Sequence, residues 1–261
     1  LGTPSWWKFT NTIWIDPIDI ARGRLKELAL GNGNHEIIPI GVMHFTYLKM
    51  KLRLKNAGFD ADYFPYDWRQ SLDLLGKTLK DHLAKESQSH NEIYLVAHSM
   101  GGLVARSAHA QLTANNASNA DKEILDKLGR VIMLGTPNYG SFSPVQALRA
   151  SHSTLKMIAA LDLTADPEEM VNTIYNTFPG LYQMLPWPEK YPSINFYEMR
   201  SWPEEGPKLI EDILVESRKV HAKLSKGDER FKLIAGVDQM TVVTAQLKNG
   251  EFYYGKTPEG D

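Results

Sequence analysis

Ile93-Tyr94-Leu95-Val96-Ala97-His98-Ser99-Met100-Gly101-Gly102-Leu103-Val104-Ala105-Arg106 is the stretch on which the fold turns. Its first part, Ile93-Tyr94-Leu95-Val96, is a continuous apolar run of strand length, suited to a strand buried on both faces. Its last part, from Gly101 to Arg106, opens a helical segment. Ser99 stands at the junction, with a small residue two positions before it, Ala97, and another two after, Gly101. A strand that reverses sharply into a helix holds a serine hydroxyl outward in a strained backbone conformation, and small flanking residues let strand and helix approach. The plainer alternative is a serine that caps a helix beside flexible glycines.

Outward from this junction, Leu72, Leu75, Leu79 and Leu83 recur at spacings of three and four and predict a helix over about 71–85. Before it, residues 60–66 read as a strand, and a helix-like stretch over about 47–56 ends at Gly58. After it, Val131-Ile132-Met133-Leu134 supplies another buried-strand candidate ahead of Gly135. Strands alternating with helices favour a mostly parallel sheet with helices on both faces. From about 140 to 207 the rhythm breaks into short helical pieces, interrupted by Pro144, Pro167, Pro179, Pro186, Pro188, Pro192 and Pro203 and rich in aromatic residues. This segment reads as an inserted helical cap on a single domain spanning 1–261. A helix over about 208–224, a strand at 231–235 and two extended runs flanking Asn249-Gly250, a strong hairpin signal, complete the chain.

Composition narrows the function. With 261 residues, 43% of them hydrophobic, the chain can bury a sizeable core. Its 29 basic and 31 acidic residues give a net charge of −2 with no block of like charges, which argues against a nucleic-acid partner. Cysteine is absent, so disulfide and thiolate chemistry are excluded and the redox compartment is not legible. No apolar run approaches the ~20 residues that span a bilayer, so a soluble chain is expected, with the cytoplasm slightly favoured. The histidines show no metal-ligand spacing, so neither a metal nor another cofactor is expected.

Three further blocks resemble, in order and spacing, the lecithin:cholesterol acyltransferase-like group of α/β-hydrolases, which includes bacterial lipases and esterases. They are Pro65-Tyr66-Asp67-Trp68-Arg69, Leu134-Gly135-Thr136-Pro137-Asn138-Tyr139-Gly140-Ser141 and Phe178-Pro179-Gly180-Leu181-Tyr182-Gln183-Met184-Leu185-Pro186. The resemblance implies an α/β-hydrolase fold and a serine esterase, lipase or acyltransferase acting on lipid-like or bulky esters, with contact to a lipid interface as an option. Ser99 is the expected nucleophile, and the Met100 amide, at a helix N-terminus, is a ready oxyanion donor. Asp67 and Arg69 are expected to form a structural pair, Trp68 to line the acyl pocket, and Tyr182 and Trp187 to face the substrate from the cap. The turn 135–137 is read either as pocket floor or as a plain turn.

A serine nucleophile needs a histidine base oriented by a carboxylate, in the chain order Ser, acid, His. Relatives in this group carry a Gly-Asp-Gly-Thr-Val type of turn, and by that match Asp261 is the acid. The base is then expected past Asp261, and the strand and loop that give a second oxyanion N–H before Leu1. A self-contained alternative pairs His221 with Asp238, against the usual order. An alternative of another class is a non-catalytic hydrolase-like module that binds a lipid or protein partner through the aromatic cap.

Overall fold

The computed structural model describes residues 1–3, 11–14, 16–31, 37–162 and 164–260. In chain order the elements begin with the short strands β1 (Gly2–Thr3) and β2 (Asn11–Thr12) and the helices α1 (Pro17–Ala21), α2 (His44–Asn56) and α3 (Leu72–Glu86). There follow β3 (Ile93–His98), α4 (Met100–Leu112), α5 (Asn119–Lys127) and β4 (Leu128–Leu134). Four short helices, α6 (Ser143–Leu148), α7 (Ser153–Leu161), α8 (Pro167–Thr173) and α9 (Pro179–Tyr182), precede α10 (Glu211–Ala222). The strands β5 (Phe231–Ile234), β6 (Gln239–Lys248) and β7 (Glu251–Gly260) close the chain.

The parallel sheet has the order β3-β4-β5, with Leu95 opposite Val131 and Val131 opposite Phe231. Parallel neighbours need crossover connections, and here α4 and α5 lead from β3 to β4 while residues 135–230 lead from β4 to β5. The helices form where the sequence specifies them. Ser71 caps α3 by accepting the Asp73 N–H, and Leu72, Leu75, Leu79 and Leu83 face the core as their spacing requires. Ser118 and Asp121 form a reciprocal capping box at α5. Helices α3 and α4 cross closely, since a Cβ on Gly76 would lie 2.3 Å from the Ser107 hydroxyl. In the β6–β7 hairpin, Asn249 and Gly250 both take positive φ, 51° and 77°, as a tight two-residue turn between twisted strands demands.

Two expectations need correction. Residues 60–66 form no ladder with any described strand, although Phe59 packs edge-on against Tyr94 of β3 with ring centroids 5.8 Å apart. Strand β3 is not buried on both faces: it is an edge of the described sheet, and Tyr94 and His98 are exposed.

Three apolar clusters make up the interior. One joins the sheet to α3, α4 and α5; a second joins Leu1, Ile13, Ile20, Leu25 and Leu28 to α7, α8 and Phe178; a third gathers Phe142, Tyr182, Phe196 and Trp202 with Ala245 of the hairpin. Trp68 packs against both the first and the second, within 5.2 Å of Trp14 and 5.3 Å of Phe178. Beside it Arg69 is fully buried. Its guanidinium grips Asp67 through two hydrogen bonds, 2.8 and 2.6 Å, and donates a third, 2.5 Å, to the Leu28 carbonyl. The Arg69 carbonyl in turn accepts the Gly180 N–H. The expected Asp67–Arg69 pair is therefore present and joins segments remote in sequence. Removing one partner leaves a buried charge uncompensated. Asp67→Ala is expected to lower the unfolding free energy by roughly 3–5 kcal/mol in urea denaturation; a loss of less than about 1 kcal/mol would contradict a pair of that kind.

Candidate active site

Strand β3 ends at His98, opposite Leu134 of β4, and the Ser99 N–H still donates to the Leu134 carbonyl at 2.9 Å. The chain then reverses at once into α4. Ser99 takes φ 53° and ψ −126°, a region that side chains with a Cβ rarely enter. As the first helical residue, Met100 has no carbonyl one turn back to receive its N–H, so that donor points out of the helix N-terminus. The turn thus sets a half-buried hydroxyl beside an open amide and the positive end of α4. Such an arrangement offers a nucleophilic oxygen together with a donor for negative charge that develops next to it.

Close approach is demanded more of Gly102 than of Gly101. A Cβ on Gly102 would lie 2.1 Å from the Thr136 hydroxyl oxygen, whereas one on Gly101 would meet Ala97 and the Tyr66 hydroxyl at ordinary contact distances, 3.7 and 3.6 Å. The turn after β4 is therefore fitted against the first turn of α4. Arg106, one turn further along α4, fastens it there by donating to the Asn138 carbonyl (3.0 Å) and side chain (3.2 Å), and also donates to the Ser225 carbonyl (2.6 Å). His98 is a neighbour of the turn, its Nδ1 2.8 Å from the Tyr47 hydroxyl of α2.

The three sequence blocks around Ser99 meet in space. The Ser141 N–H donates to the Met184 carbonyl, and the Trp187 N–H to Tyr139, while Gly180 rests on the Trp68 carbonyl and the Met100 methyl. Gln183, which sequence reasoning did not single out, is fully buried at the centre of this bracket. Its side chain accepts the Leu72 N–H at 2.6 Å and donates to the Ser71 hydroxyl, holding the start of α3. Its carbonyl lies 3.0 Å from Nδ1 of His221. No signal in one sequence marks a glutamine for such work, because its side-chain partners lie more than a hundred residues away.

Of the expected substrate residues, Trp68 lies beside Met100 through Gly180, and Trp187 is half-buried and stacked on His221 with ring centroids 4.6 Å apart. Tyr182 is placed differently: it is wholly enclosed in the third cluster, with its hydroxyl accepting the Ile210 N–H. Asp261 lies outside the described residues. His221 and Asp238 are not brought together, since His221 is buried against Gln183 and Trp187 while Asp238 is exposed. Among the described residues no group of three potential ligands could hold a metal ion.

The family model for lecithin:cholesterol acyltransferase matches residues 41–230, which include Ser99 and all three blocks. The chain belongs to the lecithin:cholesterol acyltransferase family. Membership fixes the fold as that of the α/β-hydrolases. Among curated proteins, the uncharacterized protein YJR098C of Saccharomyces cerevisiae is 38% identical over 79 residues, 27% of this chain and 12% of the yeast protein. A chain of the Tle4–Tli4 complex is similar at 18% identity with a TM-score of 0.41, covering 67% of this chain and 44% of that one. The chain thus spans less than half the length of either relative.

Two outcomes follow from the geometry. If the Ser99 backbone is strained, glycine relieves it and alanine does not, so Ser99→Gly should be more stable than Ser99→Ala by on the order of 1 kcal/mol; the opposite order in thermal melts would contradict the strain. Burial, foremost, also holds the His221 imidazole below its ordinary value of 6.5, so it stays neutral in the fold. The unfolded chain then binds the extra proton, and stability should be full above about pH 6.5 and fall below it. His221→Gln should flatten that slope, with His152, also lowered by burial, accounting for part of the remainder; an unchanged slope would remove His221 from the account.

Proposed function

We propose that this chain carries the serine-dependent part of an enzyme that hydrolyses, or transfers acyl groups from, lipid-like or bulky esters. The observation that carries the reading is the Ser99 turn, a serine at positive φ between the end of β3 and the open N-terminus of α4. In the proposed reaction Ser99 Oγ attacks the ester carbonyl carbon as a histidine base takes its proton. The tetrahedral oxyanion receives the Met100 N–H, the alcohol leaves with the proton returned by the base, and an acyl-Ser99 ester remains. Water or a second alcohol then attacks that ester, and the same intermediate serves both hydrolysis and transfer. Asp261 is the proposed carboxylate that orients the base.

Family membership supports lipid esters as the substrate class. Residues 140–207 are proposed to act as a cap that shields the reaction from water, with Trp68 and Trp187 along the acyl side and Tyr182 as a buried support beneath them. The role of Tyr182 thus shifts from substrate contact to scaffold, because its ring is enclosed and its hydroxyl engaged.

In the full natural polypeptide, Ser99→Ala should lower kcat on a p-nitrophenyl ester by at least ~10³-fold without changing the fold, and Asp261→Asn should cost a large fraction of that. Retention of activity by Ser99→Ala would rule out Ser99 as the nucleophile, whereas a parent polypeptide without turnover would leave the reading of a hydrolase-like binding module. Trp187→Ala should reduce kcat/KM for a long-chain ester several-fold more than for a short-chain one, each lost apolar contact being worth about 1–3 kcal/mol; equal losses would deny the cap an acyl-binding role.

A further inference from the structure

Helix α2 is the one long helix among the described residues that buries none of its side chains. Its inner face is half-buried: Tyr47 meets His98, and Lys51 lies over the Tyr63 ring, 4.4 Å from its centroid, and 2.6 Å from Asp62. Its outer face presents a second apolar stripe at helical spacing, Phe45, Leu48 and Leu52, exposed by 85, 45 and 56%. The stripe lines a shallow groove of about 520 Å³ with Lys49 and Arg53 along one side. The helix contains Lys49, Lys51, Arg53 and Lys55 but no carboxylate. Only Lys51 forms an ion pair, while Lys55 feels Asp62 at longer range and Lys49 and Arg53 have no acidic partner among the described residues. This local excess of positive charge stands out from a chain whose net charge is −2. No helix of the described residues is long and apolar enough to cross a membrane, and at 13 residues α2 is about 20 Å long.

An apolar stripe flanked by cations, on a helix too short to span a bilayer, suits a helix that lies in the plane of an anionic lipid surface. We propose that α2 is such a docking surface: Phe45, Leu48 and Leu52 enter the acyl boundary while Lys49, Arg53 and Lys55 meet the lipid phosphates. The contact of Tyr47 with His98 places this surface beside the Ser99 turn, so docking brings that side of the molecule to the lipid. The inference draws its purpose from the reading of a lipid-like substrate, but binding is measured without turnover, so the two can fail separately.

Because residues 1–261 contain no cysteine, Leu48→Cys can carry an environment-sensitive nitrobenzoxadiazole label in the full natural polypeptide once any cysteine outside them is replaced by serine, with Phe45→Cys as a second position. The label should shift to the blue and brighten with vesicles of 30% phosphatidylglycerol in phosphatidylcholine, but not with phosphatidylcholine alone. The response should diminish in high salt. Lys49→Glu with Arg53→Glu should weaken vesicle binding by at least ~20-fold, since each basic residue at such a surface contributes roughly 5-fold. The exposed pair Lys122→Glu with Lys226→Glu, elsewhere on the molecule, should bind as the parent does. Ser99→Ala should also bind unchanged, whatever its activity. Equal response to neutral and anionic vesicles, or indifference to charge reversal and salt, would overturn the proposal. So would a label already in an apolar setting before vesicles are added, because a second copy or another part of the polypeptide would then cover the stripe.

Discussion

One buried charge pair fixes the loop on which one side of the serine turn rests. The guanidinium of Arg69 is removed from water, and two hydrogen bonds to Asp67 and one to the Leu28 carbonyl satisfy it. These few bonds set the position of the loop that carries Trp68, which packs at once against the sheet cluster and the cluster built from the N-terminal segment. The Arg69 carbonyl then receives the Gly180 N–H and so fixes the approach of residues 178–186 to the same loop. A neutral apolar side chain at residue 69 could fill the volume but could not dictate where three chain segments meet.

From that junction the order propagates to Ser99 by contact alone. Gly180 seats its backbone on Trp68 and against the Met100 methyl, and Gln183 carries the bracket on to the first turn of α3. On the other side, Thr136 occupies the space that a side chain at residue 102 would take, and Arg106 binds the turn that contains it. Ser99 is therefore clamped between the end of a strand, the start of a helix and two turns that belong to different parts of the chain. Strained backbone persists where the surroundings over-determine it, and these contacts are what over-determine Ser99.

The local elements were legible because their causes are local. Four leucines at helical spacing specify α3, Asn249-Gly250 specifies the β6–β7 turn, and the apolar run before Ser99 followed by glycines specifies the strand, reversal and helix. The Asp67–Arg69 pair was also within reach, two residues apart on one loop. What escaped depends on partners distant in sequence. Gln183 and His221 look like ordinary polar residues until the fold places one against Ser71 and Leu72 and the other against Trp187. Tyr182 could be given an apolar role from its surroundings in sequence, but whether its ring faces substrate or core is decided by α10, whose entry at Ile210 takes up its hydroxyl. Residues 60–66 have a strand's composition, yet a strand exists only through a paired neighbour.

The central claim is that the clamp holds Ser99 as a nucleophile, and covalent trapping tests it most directly. The full natural polypeptide would be treated with a fluorophosphonate, digested, and its peptides sequenced by mass spectrometry. The account predicts one phosphonylated residue, Ser99, with modification abolished by prior denaturation, because an unfolded serine has neither an activating base nor the Met100 amide positioned for the oxyanion. Stoichiometric labelling at another serine, or no labelling of a folded protein that still turns over esters, would contradict it.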